Sequence, residues 1–130
     1  MARPASKHPT ELELEILKVL WDRSPLTVRD VREALLPARR LAYTSVMTIM
    51  NIMVDKGYLR RDKEGASFAY RPVVSRKLTT RRMLRDLVDR VFDGSTAAAM
   101  VNLLESSDLD RAELRRLRDL LKQKPGENRP

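Results

Sequence analysis

Apolar residues recur at helical spacing along almost the whole of this chain, and the repeat is interrupted once, between Tyr58 and Arg71, by two short strand-like runs. In the first helical segment Leu12, Ile16, Leu17, Leu20 and Trp21 fall on one face. Thr10 stands three residues before Glu13, the spacing of a capping box, in which each side chain satisfies an orphan backbone N–H. Asp22-Arg23-Ser24-Pro25 breaks this helix, and Leu26 is expected in a short extended segment. A second helix opens at Thr27 with Asp30 as its reciprocal partner. Its apolar stripe is Val28, Val31 and Leu35, and Pro37 stops it. Residues 37–42 read as the turn into the next helix.

The third helix, about Tyr43 to Lys56, has a core stripe of Val46, Ile49, Met50 and Met53. On its other side Thr44, Thr48, Asn51 and Asp55 gather at offsets of four, three and four. Exposed helix faces are usually filled with Lys and Glu, and Thr and Asn are poorer helix formers, so their use here asks for a reason. Short donors and acceptors let a helix approach another surface closely, and asparagine can pair with adenine through two hydrogen bonds. The alternative is a neutral polar face with no partner. Gly57 caps the helix, since glycine enters the left-handed conformation cheaply.

The strand-like runs are Tyr58-Leu59-Arg60-Arg61-Asp62 and Ser67-Phe68-Ala69-Tyr70-Arg71, joined by Lys63-Glu64-Gly65-Ala66. Alternation predicts that Leu59, Phe68 and Tyr70 pack on the helices while Arg60, Arg61 and Arg71 face solvent. Three helices followed by a basic hairpin is the order of a winged helix-turn-helix.

A different composition begins at Val73-Val74-Ser75. One long helix is expected from there to Phe92, with Leu84, Leu87, Val88 and Val91 as its stripe, ended by Asp93-Gly94-Ser95. Residues 96–105 form a short apolar helix with Ala97, Ala98, Met100, Val101, Leu103 and Leu104. Asp110 and Glu113 make another capping box, opening a last helix to about Lys122 that carries Leu114, Leu117, Leu120 and Leu121. Three helices in roughly 50 residues are too few for a compact core of their own. A second copy completing each stripe is the expected solution, and packing back onto the N-terminal half is the alternative. The chain is thus read as mainly α with a small β-hairpin wing. Its expected parts are a tail at 1–9, a winged-helix DNA-binding domain at 10–74, a three-helix dimerisation module at 75–123 and a tail at 124–130.

Composition removes most other classes of function. There is no cysteine, which excludes disulfides, thiolate catalysis and cysteine metal sites. The single histidine, His8, lies between prolines in the expected N-terminal tail and is a poor metal ligand or general base. No glycine-rich phosphate loop occurs. Neither an enzyme nor a metal or other cofactor is expected. No apolar run approaches the ~20 residues needed to cross a bilayer, and the N-terminus lacks a secretory signal, so membrane insertion is not expected and a cytoplasmic location is the default.

The net charge of +8 favours a polyanionic partner, nucleic acid or an anionic membrane surface. Residues 1–74 and 75–130 each hold 13 basic and 9 acidic residues, so charge alone does not assign the function to either half.

The order of motifs resembles the penicillinase-repressor (BlaI/MecI) family of winged-helix regulators. The matching stretches are Glu11-Leu12-Glu13 to Leu20-Trp21, Thr27-Val28-Arg29-Asp30-Val31, Ser45-Val46-Met47-Thr48, Lys56-Gly57-Tyr58-Leu59, Phe68-Ala69-Tyr70, Phe92-Asp93-Gly94-Ser95 and the run from Glu113 to Leu121. Together they span about residues 10 to 122. No one motif is specific, but their order and spacing are.

The resemblance implies a repressor that binds a palindromic operator as a homodimer held through its C-terminal helices, upstream of β-lactam-resistance genes. It also implies inactivation by proteolysis, directed by a regulatory protease linked to a membrane-bound β-lactam sensor. By ungapped counting the scissile bond falls at Asn102–Leu103, where known members carry phenylalanine after the asparagine. The chain also departs from the family at Met47 and Ile52, where Lys or Arg is common, and at Ser45, where threonine is usual.

Thr44, Ser45, Met47, Thr48 and Asn51 are therefore expected to read bases, with Met47 or Ile52 either touching thymine methyls or simply packing. Arg39, Arg40, Tyr43, Arg60, Arg61 and Lys63 are expected to contact the DNA backbone or form the wing. The dimer contacts are expected at Leu84, Leu87, Val88, Val91, Met100, Leu103, Leu104, Leu114, Leu117 and Leu121. Two other readings remain open at this point: a nonspecific architectural DNA-binding protein, and a winged-helix adaptor for protein partners.

Overall fold

The computed structural model describes residues 8–125, so the expected tails lie largely outside the described residues. In chain order the elements are α1 (Glu11–Asp22), α2 (Val28–Leu35), α3 (Tyr43–Asp55), β1 (Leu59–Glu64), β2 (Ser67–Pro72), α4 (Arg76–Val91), α5 (Thr96–Ser106) and α6 (Arg111–Gln123). Two compact units divide between Leu84 and Arg85, inside α4.

The first unit is a winged helix. Both predicted capping boxes form: Thr10 with Glu13 opens α1, and Thr27 with Asp30 opens α2. These reciprocal bonds satisfy orphan N–H groups and fix where each helix begins, which sets the phase of its apolar stripe. Ile16, Leu17 and Leu20 of α1, Val28, Val31 and Leu35 of α2, and Val46, Met50 and Met53 of α3 then meet in one core with Leu59 and Tyr70. Ile49 is only half-buried at its margin.

Leu26 exchanges two backbone hydrogen bonds with Tyr70, at 3.1 and 2.8 Å, tying the α1–α2 connection to β2. Gly57, at φ +83°, ends α3 in the left-handed region, and the hairpin begins two residues later.

The wing differs from the sequence expectation in two ways. β1 runs on through Lys63 and Glu64, pairing Glu64 with Ser67, so the hairpin closes with only Gly65 and Ala66 between the strands. Gly65 sits at φ +60°, as a two-residue turn matching the strand twist requires. Phe68 is also not part of the core: it is 43% exposed, whereas Ala69 and Tyr70 are buried. Phe68 lies two residues from Tyr70 on β2 but borders an open cleft with Tyr43 and Met47 of α3 in place of packing into the core.

Two further differences lie at the ends of this unit. α4 starts at Arg76 rather than Val73. The preceding stretch bends at Val73 and Val74, with Val74 against the core and its carbonyl accepting the Trp21 Nε1 hydrogen at 2.9 Å. The Arg76 guanidinium lies over the same indole, 5.9 Å from its centroid, and Thr79 is buried. His8, expected in a solvated tail, is half-buried, and Pro9 beside it is buried. Pro9 is the residue before the Thr10 cap, a position where an apolar side chain packs against the first helical turn.

In the second unit Ser95 caps α5, and Asp110 with Glu113 caps α6 in a third complete capping box. Asp93 and Gly94 both take positive φ, and the Gly94 N–H returns to the Val88 carbonyl to close α4. Within the described part of this unit only Ala99 is buried. The apolar stripes are formed as the periodicity predicts, and they lie open.

Candidate nucleic-acid interface

α3 presents Thr44, Ser45 and Thr48 exposed on one side, while Val46 and Met50 hold the opposite side in the core. Small hydroxyl side chains thus stand out from a helix whose back is fixed by packing. Ala42 supplies no side-chain cap to α3, and no acidic residue stands in its first turn. The unmet N–H groups and positive dipole end of such a helix favour a phosphate oxygen. Tyr43, 48% exposed, flanks this end.

The turn before α3 is held by arginines. Arg32 Nε donates to the Leu41 carbonyl at 2.7 Å. Arg39, expected as a backbone contact, is instead engaged with α1: its Nε meets Glu15 at 2.6 Å and its Nη2 meets Glu11 at 3.5 Å. Arg40 beside it is exposed and pairs with no carboxylate among the described residues.

The other end of α3 is anchored through Glu13. This carboxylate is 4% exposed; one oxygen accepts the Thr10 N–H at 2.9 Å and the other meets Lys56 Nζ at 2.9 Å. A carboxylate that deep is tolerated only because both oxygens are matched. The sequence marked Glu13 as a cap and gave no sign of its burial. The neighbouring Tyr58 phenol is pushed up by burial and by Glu13, with Lys56 opposing.

Along the wing, Arg60 and Arg71 each approach Asp62 at 3.5 Å on the surface, and Lys63 is exposed. Arg61 does not simply face solvent. Its guanidinium lies 5.0 Å from the Phe68 ring centroid and its Nη1 donates to Asn51 Oδ1 at 2.6 Å. The Tyr70 hydroxyl donates to the same oxygen at 2.8 Å.

Asn51, expected to read bases, is half-buried and bonded to the wing. Met47, expected either to touch a thymine methyl or simply to pack, is half-buried against the core and lines a cleft of about 500 Å³ with Tyr43, Phe68, Thr27 and Asp30. Ile52, by contrast, is 42% exposed. No signal in the sequence joins Asn51, Arg61 and Tyr70, which lie 10 and 19 residues apart.

Among the described residues no group of His, Asp or Glu could hold a metal ion, and no helix is long and apolar enough to cross a membrane.

Three packed helices, a basic two-stranded wing and an exposed polar face on the third helix define a winged-helix protein of the DNA-binding regulator class. The family model for the penicillinase repressor matches residues 9–123. Among curated proteins the chain is 35% identical over 105 residues to the transcriptional regulator BlaI of Mycobacterium tuberculosis, covering 79% of this chain and 76% of that protein. It is 25% identical over 114 residues to the penicillinase repressor of Bacillus licheniformis, covering 88% and 89% respectively. A solution structure of the DNA-binding domain of the repressor BlaI is 28% identical, with a TM-score of 0.48, and covers 52% of this chain and 83% of that one.

The chain belongs to the penicillinase repressor family. It is a transcriptional repressor by that membership, in a family of repressors and not of enzymes.

Proposed function

We propose that the chain acts as a homodimer on a palindromic operator. The observation that carries this reading is the pairing of an exposed hydroxyl face on α3 with an exposed basic wing. Thr44, Ser45 and Thr48 read base edges in the major groove, while Tyr43, Arg40, Arg60 and Lys63 hold phosphates on either side. A purely phosphate-binding architectural protein would favour lysine and arginine on α3, and that helix contains neither.

The dimer reading is supported by the open stripes of the C-terminal helices. Leu84, Leu87 and Val91 of α4, Met100, Leu103 and Leu104 of α5, and Leu114 and Leu121 of α6 are each at least 40% exposed, with Val88 and Leu117 half-buried beside them. An apolar surface of this extent on so small a unit marks an association site. Two recognition helices then meet half-sites about one or two turns of DNA apart, each ~34 Å.

Control of β-lactam-response genes is proposed from the family and from relatives named penicillinase repressor and methicillin resistance regulatory protein. Release by proteolysis is proposed at Asn102–Leu103. Both residues are exposed near the middle of α5, so a cut there would divide the apolar surface that joins the two copies. A regulatory protease linked to a membrane-bound β-lactam sensor is the proposed partner, and the cytoplasm the proposed location.

The test is competition binding on a palindromic fragment from the protein's own promoter. Thr48→Ala is expected to weaken specific binding by about tenfold, in line with the loss of a base contact, and to leave nonspecific binding unchanged. Equal weakening of both would refute base reading by α3.

A further inference from the structure

The Asn51 amide has its only acceptor fully occupied. A carbonyl oxygen carries two lone pairs, and here one takes the Arg61 Nη1 hydrogen at 2.6 Å and the other the Tyr70 hydroxyl hydrogen at 2.8 Å. The orientation of the amide follows from chemistry. A guanidinium can only donate, so the group facing Arg61 must be the oxygen and not the NH2. The Arg61 guanidinium also lies 5.0 Å from the Phe68 ring centroid, and Tyr70 is 2% exposed, so the Tyr70 donor is fixed and the Arg61 donor has a second contact that favours this position. Reading adenine through two hydrogen bonds requires this same oxygen to accept from the adenine amino group.

We propose that Asn51 is a positioning and specificity-determining residue: its oxygen locks α3 to the wing, and its remaining NH2 hydrogens select an acceptor edge, guanine, over adenine. The inference rests on the operator-binding reading above. In it Arg61 is a strut between helix and wing and not a phosphate contact. The angle of the wing is thereby coupled to the recognition helix through one side chain.

The test is selection of bound duplexes from a pool of randomised palindromes by the full-length protein, followed by affinity measurements on single-base variants. The wild-type protein is expected to prefer guanine at one position per half-site, by about five- to fiftyfold over adenine. Asn51→Asp keeps an oxygen for Arg61 and Tyr70 but replaces the NH2 by an acceptor, so the preference at that position moves from guanine to the bases with an amino donor, cytosine and adenine. Combining Arg61→Ala with Tyr70→Phe frees the oxygen, and adenine becomes acceptable there. Arg61→Ala alone leaves the salt dependence of binding as in the wild type.

A wild-type preference for adenine at that position, or a guanine preference that Asn51→Asp does not move, overturns the assignment while the operator-binding reading stands. Absence of any selected sequence overturns that reading, and the assignment with it.

Discussion

Lys63 offers the sharpest test of how the protein grips DNA. It lies on β1 opposite Phe68, near the tip of the wing, exposed and without a carboxylate partner among the described residues. Arg40 is likewise unpaired, and Arg60 makes only a 3.5 Å surface contact with Asp62, which a phosphate can displace at little cost. Three cations per protomer give about six phosphate contacts in a dimer, and each contact contributes about −0.9 to the slope of log affinity against log salt, for a total near −5.4. Raising salt fourfold, from about 50 to 200 mM, then lowers affinity by about 2,000-fold. Lys63→Ala removes about two contacts, the slope falls to about −3.6, and the same rise in salt costs only about 150-fold. Fluorescence anisotropy with an operator duplex and a scrambled one, across a salt series, measures both quantities. An unchanged slope, or a loss of affinity seen on the operator but not on the scrambled duplex, would show that Lys63 is not a phosphate contact.

Two other substitutions probe the scaffold and the assembly. Lys56→Met strands the Glu13 carboxylate in the core; breaking a buried pair costs about 3–5 kcal/mol, and partial exposure of the Lys56 end brings the expected loss to about 2–3 kcal/mol. Trp21 is the sole tryptophan and packs at the core of the same unit, so urea unfolding followed by its fluorescence reads this directly, and a loss below about 0.5 kcal/mol, typical of a surface pair, contradicts the role assigned to Glu13. Leu104→Asp places a charge in the exposed stripe of α5 and is expected to give a monomer by light scattering that still binds a half-site but gains nothing from the full palindrome. A dimer of unchanged strength would remove Leu104 from the interface.

What could be read from the sequence was what lies close together in it. The boxes at Thr10, Thr27 and Asp110 span three residues each, and the core stripes repeat every three or four, so a local rule locates both. Polar groups that meet in space leave no such period. Glu13 and Lys56 are 43 residues apart, Arg39 and Glu15 are 24 apart, and Tyr70 reaches Asn51 across 19. Phe68 shows a related limit: alternation assigned it with Tyr70 to the packed side, but how closely α3 approaches that position is not a local property of the strand.

Two of these long-range contacts bear on function, because the bonds of Arg39 to Glu15 and of Arg61 to Asn51 change how many charges are left for DNA. The sequence offered five cations per protomer near α3 and the wing: Arg39, Arg40, Arg60, Arg61 and Lys63. If all five met phosphate, a dimer would show a salt slope near −9, whereas the three remaining after Arg39 bonds to α1 and Arg61 to Asn51 give about −5.4. One slope on the wild-type protein therefore separates the two accounts. A value near −9 means that DNA pulls both arginines from their partners, and the strut between helix and wing would then have to break on binding.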